Sequence, residues 1–316
     1  MPELITSPSN PKIKRLLALQ QKSSARREAG LFVVEGQREL QHCIDAGFDI
    51  DSVFVCPEAE TAAASENRSQ QAGLFSNPCS PLLGDTFSSS RLRKREGPAS
   101  EGSGRGSAQP DVFRGWLPCN EGGQTKVFEV SKEVYARISY REGTEGVIAE
   151  VRTPERRLED IVLPDKPLVV VLESVEKPGN LGAVLRSADA AGADAVLVCD
   201  PLTDLWNPNL IRASIGAIFT VPCVACSSVE AIAFLKARGI RILTAQLQDS
   251  SLYYDCDMTV GTALVMGTEA TGLTDAWRAA ADAHIRIPML GRLDSLNVSV
   301  SAAILLFEAV RQRQNG

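Results

Sequence analysis

Between residues 10 and 21 the apolar side chains of Ile13, Leu16 and Leu17 fall on one face of a 3.6-residue period that Gln20 continues, which predicts an amphipathic opening helix. Pro11 occupies a first-turn position, where its missing N–H has no intrahelical partner to lose. Four apolar residues in succession at 31–34 read as a buried strand, Glu35-Gly36 as a turn, the stretch through Cys43 and Ile44 as a helix, and 53–56 as a second strand. After a long break the alternation returns with a strand at 127–130, a helix around 132–138 and a strand at 146–151. Residues 1–152 are therefore expected to form a small α/β domain.

The break, residues 57–125, carries no sustained period. Ser, Gly and Pro supply 25 of its 69 residues, a share that marks low-complexity chain, so it is expected to be a mostly disordered insertion. Residues 153–166 are polar, charged and bracketed by Pro154 and Pro164, as suits an interdomain linker. A second domain, 167–316, opens on the apolar run 167–173, of the kind buried on both faces of a parallel sheet. It continues with a helix over 181–191 closed by Gly192, a strand at 195–199, and a helix that the capping-box pair Ser227 and Glu230 opens and Gly239 ends. Strands at 240–245, 262–266 and 284–287 and a final helix over 296–312 complete a largely parallel α/β sheet.

With 316 residues, 44% of them apolar, the chain can bury two cores. Residues 1–15 contain Pro2, Pro8 and Pro11 and no apolar run, and no later segment reaches membrane-spanning length, which predicts a soluble, cytoplasmic protein. The eight cysteines lack the dense spacing of a disulfide scaffold. Cys223 and Cys226 form one CxxC, but His42 and His284 supply no second ligand pair nearby, so inert buried thiols and no metal are expected. A formal charge of −6 argues against a protein that coats nucleic acid indiscriminately. It leaves room for a local basic face, and Lys12, Lys14 and Arg15, then Lys22, Arg26 and Arg27, gather positive charge near the N-terminus. These cations suit either an RNA phosphate or a solvated helix surface.

Ligands of open parallel sheets bind beyond the carboxyl ends of the strands, and three loops there carry reactive side chains. In ESVEKPGNLGAVLR, residues 173–186, Asn180 stands where a helix N-cap belongs. At roughly 100° per residue, Asn180 and Arg186 can face one substrate only if Asn180 lies just outside the helix. In GTEATGL, residues 267–273, Gly267 and Gly272 allow a tight turn and close approach to a ligand, and Glu269 offers a carboxylate. In IPMLGRLDSLNVSV, residues 287–300, Ser295 and Asn297 fall in the first turn of the last helix, either beside a polar ligand or, for Ser295, simply as a cap. No GxGxxG follows a strand, which argues against a nucleotide-dependent oxidoreductase.

Taken in this order, NLGAVLR, GTEATGL and IPM…SLNVSVSAAILLFE resemble the three signature motifs of SpoU (TrmH) type RNA 2′-O-ribose methyltransferases, over residues 168–312. SNPKIKRLLAL and LFVVEGQRE resemble that family's small α/β RNA-binding domain. The resemblance implies a C-terminal parallel-sheet SPOUT domain with a trefoil knot. It also implies S-adenosylmethionine as cofactor and a structured RNA as substrate, ribosomal in preference to transfer RNA. Asn180, Arg186, Glu269, Ser295 and Asn297 then match the catalytic set, and Gly267, Ile287 and Leu296 the cofactor contacts, made largely through backbone. Ala270 stands where the family usually has Gly.

By the same matching Arg186 activates the 2′-hydroxyl, yet a guanidinium stays protonated and is a poor base, so stabilising the alkoxide or a phosphate is the alternative. A non-catalytic RNA-binding protein is the rival reading, against which the intact Arg186, Glu269 and Asn297 count. A homodimer is expected on two grounds. The family implies one, and the consecutive apolar residues Ile304, Leu305, Leu306 and Phe307 point nearly all round the last helix, more than one sheet can cover.

Overall fold

A computed structural model describes residues 2–59, 125–140, 145–268, 272–292 and 294–315. The insertion expected at 57–125 lies outside the described residues except for 57–59 and 125. The first sheet contains β1 (Glu3–Ile5), β2 (Leu31–Glu35), β3 (Ile50–Val55), β4 (Lys126–Val130) and β5 (Val147–Arg152) in the order β1-β4-β3-β5-β2. β4 runs parallel to both its neighbours and β5 antiparallel to both of its own.

Helix α1 (Pro11–Gln21) begins as its sequence dictates, with the Asn10 side chain accepting from the Lys12 N–H and Pro11 in the first turn. Its buried face is Ile13, Leu16 and Leu19. Gln20, expected to continue that face, instead donates its amide to the Ile138 carbonyl at 2.7 Å. α2 (Ser23–Ala29) ends at Gly30 in the left-handed region, and α3 (Gln37–Asp45) and α4 (Lys132–Ile138) complete the first unit.

The second sheet has seven strands, all in parallel pairings: β6 (Leu168–Glu173), β7 (Ala195–Cys199), β8 (Cys223–Cys226), β9 (Arg241–Ala245), β10 (Ser251–Leu252), β11 (Thr262–Met266) and β12 (Ala283–Arg286). Their order is β10-β12-β9-β11-β6-β7-β8. The helices are α5 (Pro178–Ala190), α6 (Pro208–Ser214), α7 (Ala217–Thr220), α8 (Ser228–Ala237), α9 (Asp275–Ala280) and α10 (Val298–Asn315). Alternate residues of β6 serve two cores: Val170 and Leu172 pack with Leu305 and Leu306 of α10, and Val169 and Val171 with Leu235 of α8 and Trp277 of α9. This is why β6 reads as an unbroken apolar run. The Ser227–Glu230 capping box forms as predicted.

Residues 153–166 are more than a loose linker. Leu158 and Ile161 are buried on the second sheet, and the Arg156 guanidinium sits 5.1 Å from the centre of the Phe48 ring and 5.8 Å from that of Trp206. The same aromatic cluster joins the two units. Phe32 stacks on Trp206 at 4.5 Å, and Phe48 meets Phe219 edge-on at 5.1 Å. Arg26, counted with the basic surface in the sequence, is only 4% exposed, and its Nε donates to Asp204 at 2.6 Å across the junction. At the far end of α10, Arg313 donates to the carbonyls of Lys166, Pro167, Met258 and Val260.

Burial pushes the Cys223 thiol up to about 12 and also raises that of Cys43. Among the described residues no group of His, Cys, Asp or Glu is arranged to hold a metal, and no helix is long and apolar enough to cross a membrane.

Replacing Asp204 with Ala leaves the Arg26 guanidinium buried without its carboxylate. Urea unfolding should then show a loss of about 3 kcal/mol. Arg27→Ala, at the exposed neighbouring position, should stay within about 0.5 kcal/mol of the parent. Equal stability of the two variants would dismiss the junction pair as a stabilising contact.

Candidate cofactor and active site

The first loop departs from expectation at one residue and changes the site as a result. α5 begins at Pro178, three residues earlier than its apolar pattern suggests, with Lys177 at the N-cap position. Asn180 therefore lies inside the first turn. With both residues in the helix, the rotation of roughly 100° per residue turns Arg186 away from Asn180. Asn180 lines a recess of about 120 Å³ with Gly267, Thr268 and Val298. Arg186 is exposed in a different cleft, of about 490 Å³, between the two units, with Arg38, Tyr140, Glu145 and Arg212. Gly182, in the middle of this helix, marks a close crossing: a Cβ there would lie 2.6 Å from the Ala213 Cβ and 2.8 Å from the Ser214 nitrogen on α6.

The second loop folds back on the end of β11. A Cβ on Gly267 would lie 2.4 Å from the carbonyl carbon and oxygen of Gly272 and 2.6 Å from the Leu273 nitrogen. The glycine is thus required by the chain's own backbone, and not only by approach of a ligand. Gly272 adopts φ +70°, and its N–H donates to the Thr268 carbonyl at 3.1 Å. Beyond the loop, the Thr274 N–H and hydroxyl donate to Glu173, the buried last residue of β6, at 2.9 and 2.7 Å. Glu269 and Ala270 lie outside the described residues.

In the third loop the helix starts at Val298, two residues later than expected, which puts Ser295 outside it. Asn297 is the cap: its Oδ1 accepts from the Ser299 N–H at 2.9 Å and from the Ser299 hydroxyl at 2.6 Å. Its Nδ2 donates to Asn180 Oδ1 at 3.2 Å, tying the first loop to the third. Ser295 is exposed, with its hydroxyl 3.3 Å from Asp294.

Gly267, Ile287, Leu296 and Ser295 all line one cavity of about 350 Å³ at this end of the sheet. Met266, Ile285 and Val298 add apolar wall, and Gln246 a buried carboxamide oxygen that no group of the described residues satisfies. The volume, the apolar walls and the open acceptor suit S-adenosylmethionine, with its adenine ring and its N–H donors.

The basic residues of α1 are differently placed. Lys12 bonds Glu3 at 2.6 Å, and Arg15 is bonded by the buried Glu150 and by Asp51 at 3.4 Å, whereas Lys14 is exposed. In the interdomain cleft the Arg212 guanidinium lies 4.3 Å from the centre of the Tyr140 ring, which stays 56% exposed. Sequence reading missed Arg38, Tyr140 and Arg212, because only the fold brings these three elements together.

Residues 167–307 match the SpoU rRNA Methylase family and residues 10–77 the MRM3-like substrate binding domain. Over 176 residues the chain is 39% identical to the Escherichia coli (strain K12) 23S rRNA (guanosine-2′-O-)-methyltransferase RlmB, covering 54% of this chain and 72% of that one. The protein belongs to the SpoU methylase family. A second family relative, the 23S rRNA (uridine(2479)-2′-O)-methyltransferase of Streptomyces viridochromogenes, is 36% identical over 176 residues, which span 54% of this chain and 61% of that one. The likeness to solved SpoU-type structures extends over both units. The AdoMet-bound rRNA methyltransferase of Sinorhizobium meliloti superposes with a TM-score of 0.73 at 26% identity, covering 98% of this chain and 97% of that one.

Gly267→Ala should displace the 272–273 backbone and weaken S-adenosylmethionine binding by on the order of tenfold or more in calorimetry, with the fold retained. A Cβ on Gly179 meets nothing within 4 Å, so Gly179→Ala should bind as the parent does. Parental affinity in Gly267→Ala would mean that the loop does not shape the cofactor site.

Proposed function

We propose that the protein transfers the methyl group of S-adenosylmethionine to a ribose 2′-hydroxyl of ribosomal RNA in the cytoplasm. In this reading residues 1–152 hold the RNA, 153–166 link, and 167–316 carry the cofactor and the chemistry. One observation carries the reading. Three loops spread over residues 173–300 meet at one end of the parallel sheet, where the bond between Asn180 and Asn297, 117 residues apart in the chain, stands beside the cavity of Gly267, Ile287 and Leu296. The 23S rRNA substrates named for the two relatives support ribosomal RNA over transfer RNA. The trefoil knot that the family implies belongs to the same reading and is supported by a sheet order in which β11 enters between β9 and β6.

The cofactor supplies an electrophilic methyl group ready for in-line displacement, which leaves the protein to position the ribose and manage its hydroxyl. Asn297 is held by its helix cap on one side and by Asn180 on the other, so the pair offers a fixed polar edge for orienting the ribose. Ser295, at the rim, adds a hydroxyl, and the family resemblance adds Glu269 to the same set. Arg186 donates hydrogen bonds and does not accept protons, so its role is to stabilise the developing alkoxide or the adjoining phosphate.

Within one chain, Arg186 and Asn180 line separate cavities. We read this as a site that a second copy completes, in a homodimer formed through α10. Val300 and Phe307, seven residues apart on one stripe, are 47% and 49% exposed, and Leu290 in the preceding loop is 97% exposed. The RNA strand is expected to run from Lys12, Lys14 and Arg15 to the cleft of Arg38, Tyr140 and Arg212, where a base can stack and guanidinium groups meet phosphate.

Arg186→Ala should lower single-turnover methylation by about a hundredfold or more while leaving cofactor affinity at the parental value. Unaltered turnover would remove Arg186 from the active site. Light scattering should give twice the chain mass, and Phe307→Glu should lower mass and activity together. Mapping of 2′-O-methyl groups in cellular RNA with and without the protein should reveal a ribosomal position that depends on it. Loss confined to transfer RNA would refute the substrate assignment.

A further inference from the structure

Gln246 follows β9 directly and is fixed at two points. Its backbone N–H donates to the Ile285 carbonyl at 3.0 Å, and its side-chain Nε2 donates to the Gln248 carbonyl at 2.9 Å. The second bond fixes which way the carboxamide faces, because only its nitrogen can donate to a carbonyl. The oxygen is therefore the end left over. It is buried, and among the described residues it is the one buried side-chain N or O atom without a hydrogen-bond partner. Gln246 lines the cofactor cavity together with Met266, Ile285, Ile287 and Leu296. A neutral acceptor held rigidly among Met266, Ile285 and Ile287 is costly unless a ligand N–H or O–H meets it.

We propose that Gln246 reads the purine of the cofactor, its Oε1 accepting a hydrogen bond from the exocyclic 6-amino group of adenine. The apolar side chains around it form a slot suited to a flat heterocycle. The cofactor's other N–H donor, the ammonium of its amino-acid part, is charged and requires an anion or water. Asp294, the one carboxylate lining the cavity among the described residues, is exposed at its rim. A neutral amine thus matches the buried neutral oxygen, and the charged group matches the rim. The signal is local to this side chain, and a leucine of similar size would remove the acceptor while keeping the bulk.

The test is calorimetric binding by the full chain, with no turnover required. S-adenosylhomocysteine should bind the parent about tenfold or more tighter than the analogue in which hydrogen replaces the 6-amino group, and Gln246→Leu should bind both alike. In Gln246→Leu, 5′-methylthioadenosine, which lacks the amino-acid part, should weaken by the same factor as S-adenosylhomocysteine. A penalty seen with S-adenosylhomocysteine but absent with methylthioadenosine assigns the oxygen to the ammonium and overturns the proposal. Should Gln246→Leu fail to fold, the parent alone decides, since equal affinity for the two purines assigns the oxygen to another donor, such as a ribose hydroxyl, and overturns the proposal. Measurable binding of S-adenosylhomocysteine keeps the cofactor assignment separate from either outcome.

Discussion

The close passage of Gly267 beneath the Gly272–Leu273 backbone sets the geometry around which the rest of the site is built. At a 2.4 Å separation from a hypothetical Cβ, no L side chain fits between the two strands of this loop. Gly267 and Thr268 consequently form a shared partition between the cofactor cavity and the recess of Asn180. Its exit is anchored as firmly as its entrance. Glu173 is buried, and the Thr274 N–H, the Thr274 hydroxyl and, more distantly, the Ser228 hydroxyl at 3.4 Å meet its carboxylate. Much of the wall is thus fixed before a ligand arrives, which spares binding the entropy of ordering it.

The parts of this arrangement legible in the sequence are those decided locally. β7 and β11 lie where their five-residue apolar runs place them, and the Ser227–Glu230 box marks the start of α8, because the groups that decide these elements are close neighbours in the chain. The start of α5 was not legible. Pro178 at the first helical position and Asn180 as a cap are both licensed by local rules, and the choice between them falls to packing against α6. β1 has three residues and acquires its identity only by pairing with β4, over a hundred residues away. Arg26 is another such case, since its burial depends on Asp204, 178 residues distant. The three motif loops were legible as a set through family resemblance, whereas periodicity alone gave no reason to group them.

Charge illustrates the same division. The basic cluster of α1 is conspicuous in sequence, yet two of its three cations face carboxylates of their own sheet: Glu3 on β1, and Glu150 on β5. The cleft between the units collects Arg38, Arg186 and Arg212 from three helices that are remote in the chain. Net charge is a sum over the molecule, and what a polyanion meets is the local arrangement. The aromatic junction of Phe32, Phe48, Trp206 and Phe219 holds the walls of that cleft in register, so a packing feature of the core determines where those guanidinium groups stand.

The hold that Arg313 exerts on the carbonyls of Lys166, Pro167, Met258 and Val260 has a bearing on how the protein is made. α10 supplies Asn297 and Val298 to the site at its beginning and this four-carbonyl clasp near its end, across contacts that reach back some 147 residues. A nascent chain still inside the ribosomal tunnel at α10 has its central strands but neither the cap that orients Asn297 nor the clasp that fastens the entry of β6. Competence to bind and to act therefore waits until α10 has been made and has packed.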